Sequence, residues 1–299
     1  MGHSYYSDAS YRTYALSTAG VHTNKIFKQN EKRAISAEMS PYGLKVRESR
    51  DSVEHPETLP VGIFLDVTGS MGKIPDNLVR GPLGTLMTTL LTNQLPDVQI
   101  LMGFIGDHIS DDAPLQVGQF ESGDVELVKW LTSGWLEGGG GGQRMESYLL
   151  AWLIAARHMA IDSFEKRQKK GLIFTIGDEA SWNILSGAHL KDIMGYTSNE
   201  SMTDVQLLKE AREKFDVFHM HINEGSYKDN KEILDYWEKI LGMPPIIVHD
   251  YTKLAEIVAV AVANLQGIAP KTLTKAFDKP TAKLIDRSLE HVYAYSASK

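Results

Sequence analysis

The stretch Val61-Gly-Ile-Phe-Leu-Asp66-Val67-Thr68-Gly69-Ser70-Met71-Gly72 decides how this chain folds. Its first residues are mostly apolar and run into an aspartate, which is followed by hydroxyl residues at alternate positions and by two glycines. An apolar run that ends in such a polar loop is typical of a buried strand that delivers the loop to the edge of a sheet. We therefore expect the chemistry of the chain in this loop.

The loop carries three side chains with hard oxygen atoms, at the spacing D-x-T-x-S. A tight turn would point the carboxylate of Asp66 and the hydroxyls of Thr68 and Ser70 at one centre. The glycines allow the backbone to bend closely around that centre. Such ligands suit Mg²⁺ or Mn²⁺, which prefer oxygen donors and usually keep several waters. The spacing predicts a divalent metal site.

The composition limits the class of protein. The chain has 299 residues, of which 42% are hydrophobic and 23% are charged, and this is ordinary for a globular protein with a substantial core. A formal net charge of -7 argues against a general nucleic-acid binder. Because cysteine is absent, disulfides, thiolate metal sites and cysteine nucleophiles are excluded.

The sequence shows neither a membrane span nor a secretory signal. No apolar run approaches the roughly 18 residues of a membrane helix. The start Met1-Gly-His-Ser-Tyr-Tyr lacks the basic and apolar segments of a signal peptide. We therefore expect a cytoplasmic protein that does not contact a membrane.

Beyond the first strand, apolar strands alternate with helical segments. Further strands are predicted over 98–105, 115–120 (a short edge strand that returns as a hairpin), 171–176, 215–222 and 245–249. Helices are predicted over 82–92, 124–132 (with Asp124 as its N-cap), 147–164, 190–194, 203–214, 231–241 and 252–265. This alternation predicts an α/β fold with a doubly wound, mostly parallel sheet of about six strands flanked by helices.

The segment 73–93 has the pattern of a helix, but helix-breaking residues interrupt that pattern. Pro75 and Gly81-Pro82 break the pattern, because proline disfavours a helix interior. We expect an irregular turn before the helix over 82–92.

The chain divides into three parts. Residues 1–58 are polar and show no sustained period, which predicts an extended arm that is either a loosely ordered terminus or docks on a neighbouring subunit. Residues 59–268 form the α/β domain. Residues 269–299 are a tail with an amphipathic stretch over 281–293, which predicts a helix.

The metal loop resembles the metal-ion-dependent adhesion site (MIDAS) of von Willebrand factor A (VWA) domains, whose first motif is D-x-S-x-S at the end of the first strand. Asp66, Thr68 and Ser70 fall on its liganding positions, and threonine keeps the hydroxyl of the middle serine. VWA domains supply a further site aspartate after the fourth strand, and Asp178 has that place. The similarity spans roughly residues 60 to 266 and implies a VWA-like, Rossmann-like fold.

The chain departs from the VWA pattern in its middle loop. The family usually offers a threonine there, or an aspartate in its G-G-G-D-x-P-E variants. Here five glycines run into Gln143, and Glu146 resembles the glutamate of that variant. Gln143 would ligate the metal through its amide oxygen or hold a metal-bound water. The glycines form either a loop that approaches the ligand closely or a flexible linker.

Simpler interpretations of the same residues stay open. An aspartate at the end of a strand, such as Asp178, is often only a helix cap. Asp107 and His108 follow another strand and either surround the metal ligands or hydrogen-bond within their own loop. His219 and His221 alternate on a strand, but no third metal ligand accompanies them.

The resemblance implies a protein-interaction module and no enzyme. In this interpretation Mg²⁺, bound by the predicted ligands, accepts a carboxylate from an acidic residue of a partner protein. Intracellular prokaryotic and viral VWA proteins of this kind often serve as adaptors or assembly factors beside AAA+ ATPases of the MoxR type. Such an ATPase is therefore the expected partner.

Two other functions stay open. A Mg²⁺-dependent phosphohydrolase would use the same ion to polarise a phosphate, with Asp107, His108 or Glu179 as its nucleophile or base. A structural protein would self-associate through the N-terminal arm and the C-terminal tail. The chain lacks a Walker A motif and the G-x-S-x-G elbow of serine hydrolases.

Overall fold

The computed structural model describes residues 6–18, 20–80, 82–92, 95, 97–224 and 227–298. The strands are β1 (Arg47–Ser49), β2 (Leu59–Asp66), β3 (Val98–Ile105), β4 (Leu115–Glu121), β5 (Met145–Glu146), β6 (Met159–Ile161), β7 (Gly171–Gly177), β8 (Ala180–Ser181), β9 (Ile184–Leu185), β10 (Met202–Thr203), β11 (Phe215–Ile222) and β12 (Ile246–Val248). The α-helices are α1 (Asp8–Thr18), α2 (Thr23–Ile26), α3 (Lys28–Lys32), α4 (Ile74–Arg80), α5 (Pro82–Thr92), α6 (Asp124–Thr132), α7 (Tyr148–Arg157), α8 (Asp162–Arg167), α9 (Gly187–Met194), α10 (Asp204–Lys214), α11 (Lys231–Leu241), α12 (Leu254–Leu265), α13 (Pro270–Leu273) and α14 (Lys279–Ala297).

A central sheet of six strands has the order β12-β11-β7-β2-β3-β4. Neighbouring strands from β12 to β3 are parallel, and β4 is antiparallel to β3 at one edge, as predicted for a hairpin. Helices flank the sheet. The predicted fold class, a doubly wound and mostly parallel α/β sheet, is confirmed.

The strand order reverses between β2 and β7. From β2 the chain runs outward through β3 to β4, then returns to β7 on the other side and continues through β11 to β12. In open α/β sheets, ligands bind outside the carboxyl ends of the strands at such a reversal. Asp66 ends β2 and Asp178 directly follows β7. The topology thus brings two of the predicted ligands to this point.

Helices on the two faces of the sheet form two hydrophobic cores. Leu65 of β2 faces the first core, together with Leu90 of α5 and Ile257 of α12. Phe64 faces the second core, where it joins Trp152 of helix α7, which is buried from Tyr148 to Ala155. Among the described residues, no helix is long and apolar enough to cross a membrane.

The helix predicted over 147–164 is wrong in its second half. The structure has α7, the short strand β6 and then α8 in its place. Strand β6 pairs in parallel with β1, and the Arg47 N–H donates to the His158 carbonyl at 2.7 Å. Because this partner strand lies far away in the sequence, the local pattern does not reveal it, and tertiary pairing overrides the helical tendency.

The predicted N-cap of α6 is also wrong. Gly123 occupies the cap position, and Asp124 is the first residue of the helix. The Asp124 carboxylate instead accepts a hydrogen bond from the Ser7 N–H at 3.1 Å. The side chain therefore ties the N-terminal segment to α6.

The irregular turn expected around Pro75 is replaced by helix α4. Pro75 is the second residue of this helix, where its missing N–H would have no helical partner in any case. The interruption expected at Gly81, the end of the helical region at Asn93 and the chain start at residues 1–5 lie outside the described residues.

The described part of the N-terminal segment packs on the domain and is not extended, contrary to expectation. It contains three short helices and β1. Phe27 and Met39 are fully buried in the first core. Arg80 of α4 donates hydrogen bonds to the carbonyls of Thr18 and Val21 at 2.7 and 2.8 Å. Apolar side chains that form only short, isolated patches in the sequence thus pack against the domain.

The C-terminal tail contains the predicted helix, here α14. Ile285, Leu289 and Val292 lie on its buried face and join the first core. Near its end, the Tyr295 hydroxyl donates to Asp216 Oδ1 at 3.0 Å. The helix therefore packs against the same face of the sheet as α12.

The stacked pair Phe174 and Phe218 provides a test of the first core. Phe174 of β7 is fully buried, and its ring centroid lies 5.5 Å from that of Phe218. We expect Phe174→Ala to lower the free energy of unfolding by about 3–5 kcal/mol, measured by urea denaturation, because it leaves a cavity. Val53→Ala is the control: Val53 is 95% exposed, so its change should stay within about 0.5 kcal/mol.

Candidate functional site

The site is centred on the carboxylate of Asp66, which is fully buried at the end of β2. Its Oδ1 accepts hydrogen bonds from the Thr68 N–H at 2.8 Å and from the Thr68 hydroxyl at 2.6 Å. Its Oδ2 accepts a hydrogen bond from the Tyr148 hydroxyl at 2.6 Å. The D-x-T-x-S loop therefore turns as tightly as the sequence predicts.

A chain of hydroxyls connects this loop to β7 across the strand reversal. The hydroxyls of Thr68 and Ser70 lie 3.3 Å apart. Ser70 then donates to Asp178 Oδ1 at 2.8 Å. Asp178 is buried, whereas Ser70 is exposed. The structure thus brings four of the five predicted ligands together, with Ser70 at the solvent side.

The glycine-rich loop, residues 138–142, lies directly against the D-x-T-x-S loop. The Gly69 N–H donates to the Gly139 carbonyl at 2.7 Å, and the Gly138 N–H donates to the Val67 carbonyl at 3.2 Å. A Cβ at Gly69 would come within 3.0 Å of the Gly138 carbonyl oxygen. Such close backbone contact requires glycine, so this segment is a loop of the site and not a free linker.

Gln143 does not join the other predicted ligands. Its side chain is exposed, and its amide oxygen lies beside Gly141, where an added Cβ would overlap with it. None of the hydrogen bonds between described residues joins Gln143 to the other four. The backbone of the loop, and not this side chain, approaches the centre.

Two further acids lie beside Asp66. Glu146 and Glu179 are 2% and 6% exposed. Burial and then repulsion from Asp66 raise the pKa of each, and Glu179 adds to the repulsion on Glu146. A hydrogen bond with Glu146 partly lowers the pKa of Glu179. One oxygen of Glu146, Oε2, is buried without a hydrogen-bond partner in the described structure. The site therefore holds more acidic groups than its own donors satisfy.

Burial and mutual repulsion raise the pKa of these carboxyls. Burial, followed by repulsion from Asp178, raises the pKa of Asp66, and burial followed by repulsion from Asp66 raises that of Glu146. Burial is also the main cause that raises the pKa of Asp178 to about 6 and that of Glu179 to about 7. A positive charge at this point would relieve the repulsion.

The side chains of the loop after β3 have hydrogen-bond partners outside the four grouped ligands. Asp107 is fully buried and accepts from the Trp182 indole N–H at 2.8 Å and from the Ser110 hydroxyl at 2.6 Å. His108 Nδ1 lies 2.8 Å from the Ser147 hydroxyl. Burial and the neighbouring His189 lower the pKa of His108 to about 4, so its imidazole is neutral at pH 7.

Tyr148 is a site residue that the sequence analysis missed. Its position in an apolar helix predicts only a core residue, and it is fully buried. Its hydroxyl nevertheless reaches Asp66, through space that the missing side chain of Gly177 leaves open. The only local signal is a single hydroxyl-bearing aromatic residue at the start of the helix that follows the glycines.

The histidines of β11 are core residues in this structure. His219 and His221 are both fully buried. His219 stacks on Trp237 with ring centroids 3.5 Å apart, and its Nδ1 lies 2.9 Å from the Thr175 hydroxyl. Neither is exposed to a ligand.

The donor set fits a hard divalent cation. Two buried carboxylates, Asp66 and Asp178, and two hydroxyls, Thr68 and Ser70, form one connected group of oxygen donors. Across the described part of the chain, no three or more His, Asp or Glu side chains are grouped to hold a metal. A metal here would therefore depend on hydroxyl as well as carboxylate ligands.

An open cavity of about 660 Å³ adjoins the donors. Its lining includes Thr68 and Gly69 of the D-x-T-x-S loop and Thr23 and Asn30 of the N-terminal segment. Lys73, which is exposed, also contributes to its wall. The cavity has room for a segment of another molecule next to the donor set.

Comparisons with known proteins find similar structures but no similar sequences. No protein-family model matches the chain, and no curated protein matches it. The open form of the pilus adhesin SpaC from Lactobacillus rhamnosus GG is 10% identical over 73% of this chain and 30% of its own, with a TM-score of 0.46. Proximal thread matrix protein 1 from the mussel byssus is 10% identical over 67% of this chain and 46% of its own, with a TM-score of 0.42.

The similar structures also include a VWA domain, that of SpRpn10. It is 10% identical over 67% of this chain and 95% of its own, with a TM-score of 0.40. The chain spans about a third of the length of the pilus adhesin that it matches and about half that of the mussel protein. These values describe distant similarity and assign neither a ligand nor a partner to this chain.

The raised pKa of Asp178 predicts a pH effect on the metal-free protein. A carboxyl with a higher pKa in the folded state than in the unfolded chain stabilises the fold at low pH, and this stabilisation is lost as the pH rises through the folded value. The free energy of unfolding of the wild type minus that of Asp178→Asn should therefore decrease as the pH rises from about 4 to about 7, around the folded pKa of about 6.

This effect is measured as the difference between the two proteins by urea denaturation in metal-free buffer. Buried histidines such as His108 act in the opposite direction, and the subtraction removes their contribution. A difference that is constant from pH 4 to pH 7 would contradict the raised pKa of Asp178.

Proposed function

We propose that this chain is a protein-interaction module that binds a carboxylate of a partner protein through Mg²⁺. The observation that carries the proposal is the connected set of oxygen donors from Asp66, Thr68, Ser70 and Asp178 at the reversal of strand order. These residues would hold the ion, and Mn²⁺ would also suit them. A bound ion supplies positive charge and an open position for an incoming carboxylate.

The charges and the shape of the site support binding of this kind. The strongest charge effects on Asp66, Glu146 and Glu179 come from other carboxylates, so the site favours a cation. Ser70 is exposed, and Thr68 and Gly69 before it line the cavity, so a partner could reach the ion from solvent. Binding and orientation of a carboxylate require no further reaction.

A more specific proposal concerns the partner and rests on the motif resemblance alone. Intracellular VWA-type adaptors and assembly factors act beside MoxR-type AAA+ ATPases. We therefore include such an ATPase among the partners to be tested, with the chain in the cytoplasm.

Metal binding is tested first by calorimetry with Mg²⁺ and with Mn²⁺. We expect one site in the wild type, and we expect its loss in Asp66→Asn, which keeps the size of the side chain but removes its charge. Asp204→Asn is the matched control, because Asp204 is a buried carboxylate that hydrogen-bonds to Tyr236, away from the donor set. The control should bind like the wild type; equal binding by Asp66→Asn would exclude the proposed site.

Partner binding is tested by capture on the immobilised wild-type chain. Proteins held in Mg²⁺ should be released by EDTA, and Asp66→Asn should not capture them. If EDTA does not release the captured proteins and Asp66→Asn captures them equally well, binding through a metal-bound carboxylate is excluded. Normal self-assembly in EDTA, with no metal-dependent partner, would instead favour a structural protein that acts through its two terminal segments.

One observation favours a phosphohydrolase as a second candidate function. Burial raises the pKa of Glu179 to about 7, the value that suits a general base at neutral pH. The other candidates already have hydrogen-bond partners: Asp107 accepts from Ser110 and Trp182, and His108 Nδ1 lies 2.8 Å from the Ser147 hydroxyl. Mg²⁺-dependent turnover of p-nitrophenyl phosphate that disappears in both Glu179→Gln and Asp66→Asn would support the enzyme, whereas the binding module predicts no turnover.

A further inference from the structure

We propose that three buried aromatic residues, Tyr148, His219 and Trp237, act together as positioning residues for the metal site. We refer to them as the aromatic bracket. The site has two halves, one centred on Asp66 and the other on Asp178. The inference rests on the proposed metal site and adds the residues that hold its two carboxylates in place. They come from α7, β11 and α11, three elements that are distant from the metal loop in the sequence.

Tyr148 holds the first half of the site. Its hydroxyl donates to Asp66 Oδ2 at 2.6 Å, while the N–H and hydroxyl of Thr68 both donate to Oδ1. Both carboxylate oxygens are therefore oriented by the protein. Because Tyr148 is fully buried, its hydroxyl does not exchange this partner for bulk water.

Trp237 holds the second half of the site. Its indole N–H donates to the backbone carbonyl of Glu179 at 2.9 Å. Glu179 directly follows Asp178, the carboxylate that accepts from Ser70. The indole therefore fixes the backbone of the short loop from which the second predicted carboxylate ligand projects.

His219 joins the two halves through its ring. It stacks on Trp237 with an interplanar angle of 6° and centroids 3.5 Å apart. Tyr148 contacts both rings edge-on, with centroids 5.1 Å from His219 and 5.4 Å from Trp237. Burial lowers the pKa of His219 well below its usual value, so the ring is neutral and introduces no buried charge.

The packing around Tyr148 indicates that its position is specific. At Gly177, the last residue of β7, an added Cβ would overlap with the Tyr148 hydroxyl and would come within 2.7 Å of Asp66 Oδ2. The strand therefore leaves space for this hydroxyl at the carboxylate.

The bracket acts against the repulsion between the carboxylates. Repulsion from Asp178 contributes to the raised pKa of Asp66, so without a cation the two groups favour separation or protonation. The bracket therefore orients both carboxylates already in the metal-free protein. Partners that orient metal ligands in this way typically change metal affinity by about 10–100-fold when they are removed.

The test uses two variants that each remove one hydrogen-bond donor and keep an aromatic ring. Tyr148→Phe removes the donor to Asp66, and Trp237→Phe removes the donor to the Glu179 carbonyl. Tyr236→Phe is the matched control, because this neighbour of Trp237 donates its hydroxyl to Asp204 and not to a site residue. We expect the first two variants to bind Mg²⁺ about tenfold more weakly by calorimetry, and the control to bind like the wild type.

A spectroscopic measurement separates positioning from a general loss of stability. The electron paramagnetic resonance spectrum of bound Mn²⁺ reports the symmetry of its ligands. We expect this spectrum to change in Tyr148→Phe and in Trp237→Phe, but not in Tyr236→Phe or in the core variant Phe174→Ala, measured at a temperature where each variant is folded. A variant that fails to fold leaves the decision to the other donor variant, because the two act at different hydrogen bonds.

The outcomes distinguish the bracket from the proposed function. If the wild type binds neither Mg²⁺ nor Mn²⁺, the metal site and the bracket are both wrong. If the wild type binds and Asp66→Asn does not, but both donor variants bind with wild-type affinity and an unchanged spectrum, the metal site stands and the bracket is overturned.

Discussion

The burial of the Asp66 carboxylate is the constraint on which the arrangement of this protein depends. A charged group that is fully buried needs compensating donors or an opposite charge. Thr68 supplies two donors from the same loop and Tyr148 supplies a third from another helix. Even so, burial and the nearby Asp178 keep the pKa of Asp66 raised. The three donors therefore compensate the buried negative charge only in part, and a bound cation would supply the remaining positive charge.

The site depends on close contacts with the backbone, and glycine residues allow such contacts in two places. The D-x-T-x-S loop and the glycine-rich loop exchange main-chain hydrogen bonds through Val67 and Gly69, which brings the two loops together. Gly177 leaves room for the Tyr148 hydroxyl between β7 and the carboxylate. Side chains at these positions would push the donors apart. The glycines thus account for the density of acidic and hydroxyl groups in a small space, which is the feature that favours binding of a hard cation.

The N-terminal segment contributes to the surface beside the site as well as to the core. Phe27 and Met39 anchor it in the first core, and Thr23 and Asn30 line the cavity beside the D-x-T-x-S loop. A partner that reached an ion at Ser70 would meet this segment and Lys73. A segment outside the predicted domain therefore helps to form the surface beside the predicted ligands.

The sequence by itself determined the succession of the six central strands along the chain and the tight D-x-T-x-S loop, because apolar periodicity, glycines and short-range spacing are local properties. It also placed Asp66 and Asp178 at one edge of the sheet, since the carboxyl ends of parallel strands meet there. Only the tertiary structure decided that β6 interrupts a helical pattern to pair with β1, that Gln143 lies apart from the other predicted ligands, and that Tyr148 and Trp237 reach the site. Each of these depends on contacts between residues that are far apart in the sequence, and no local pattern records such contacts.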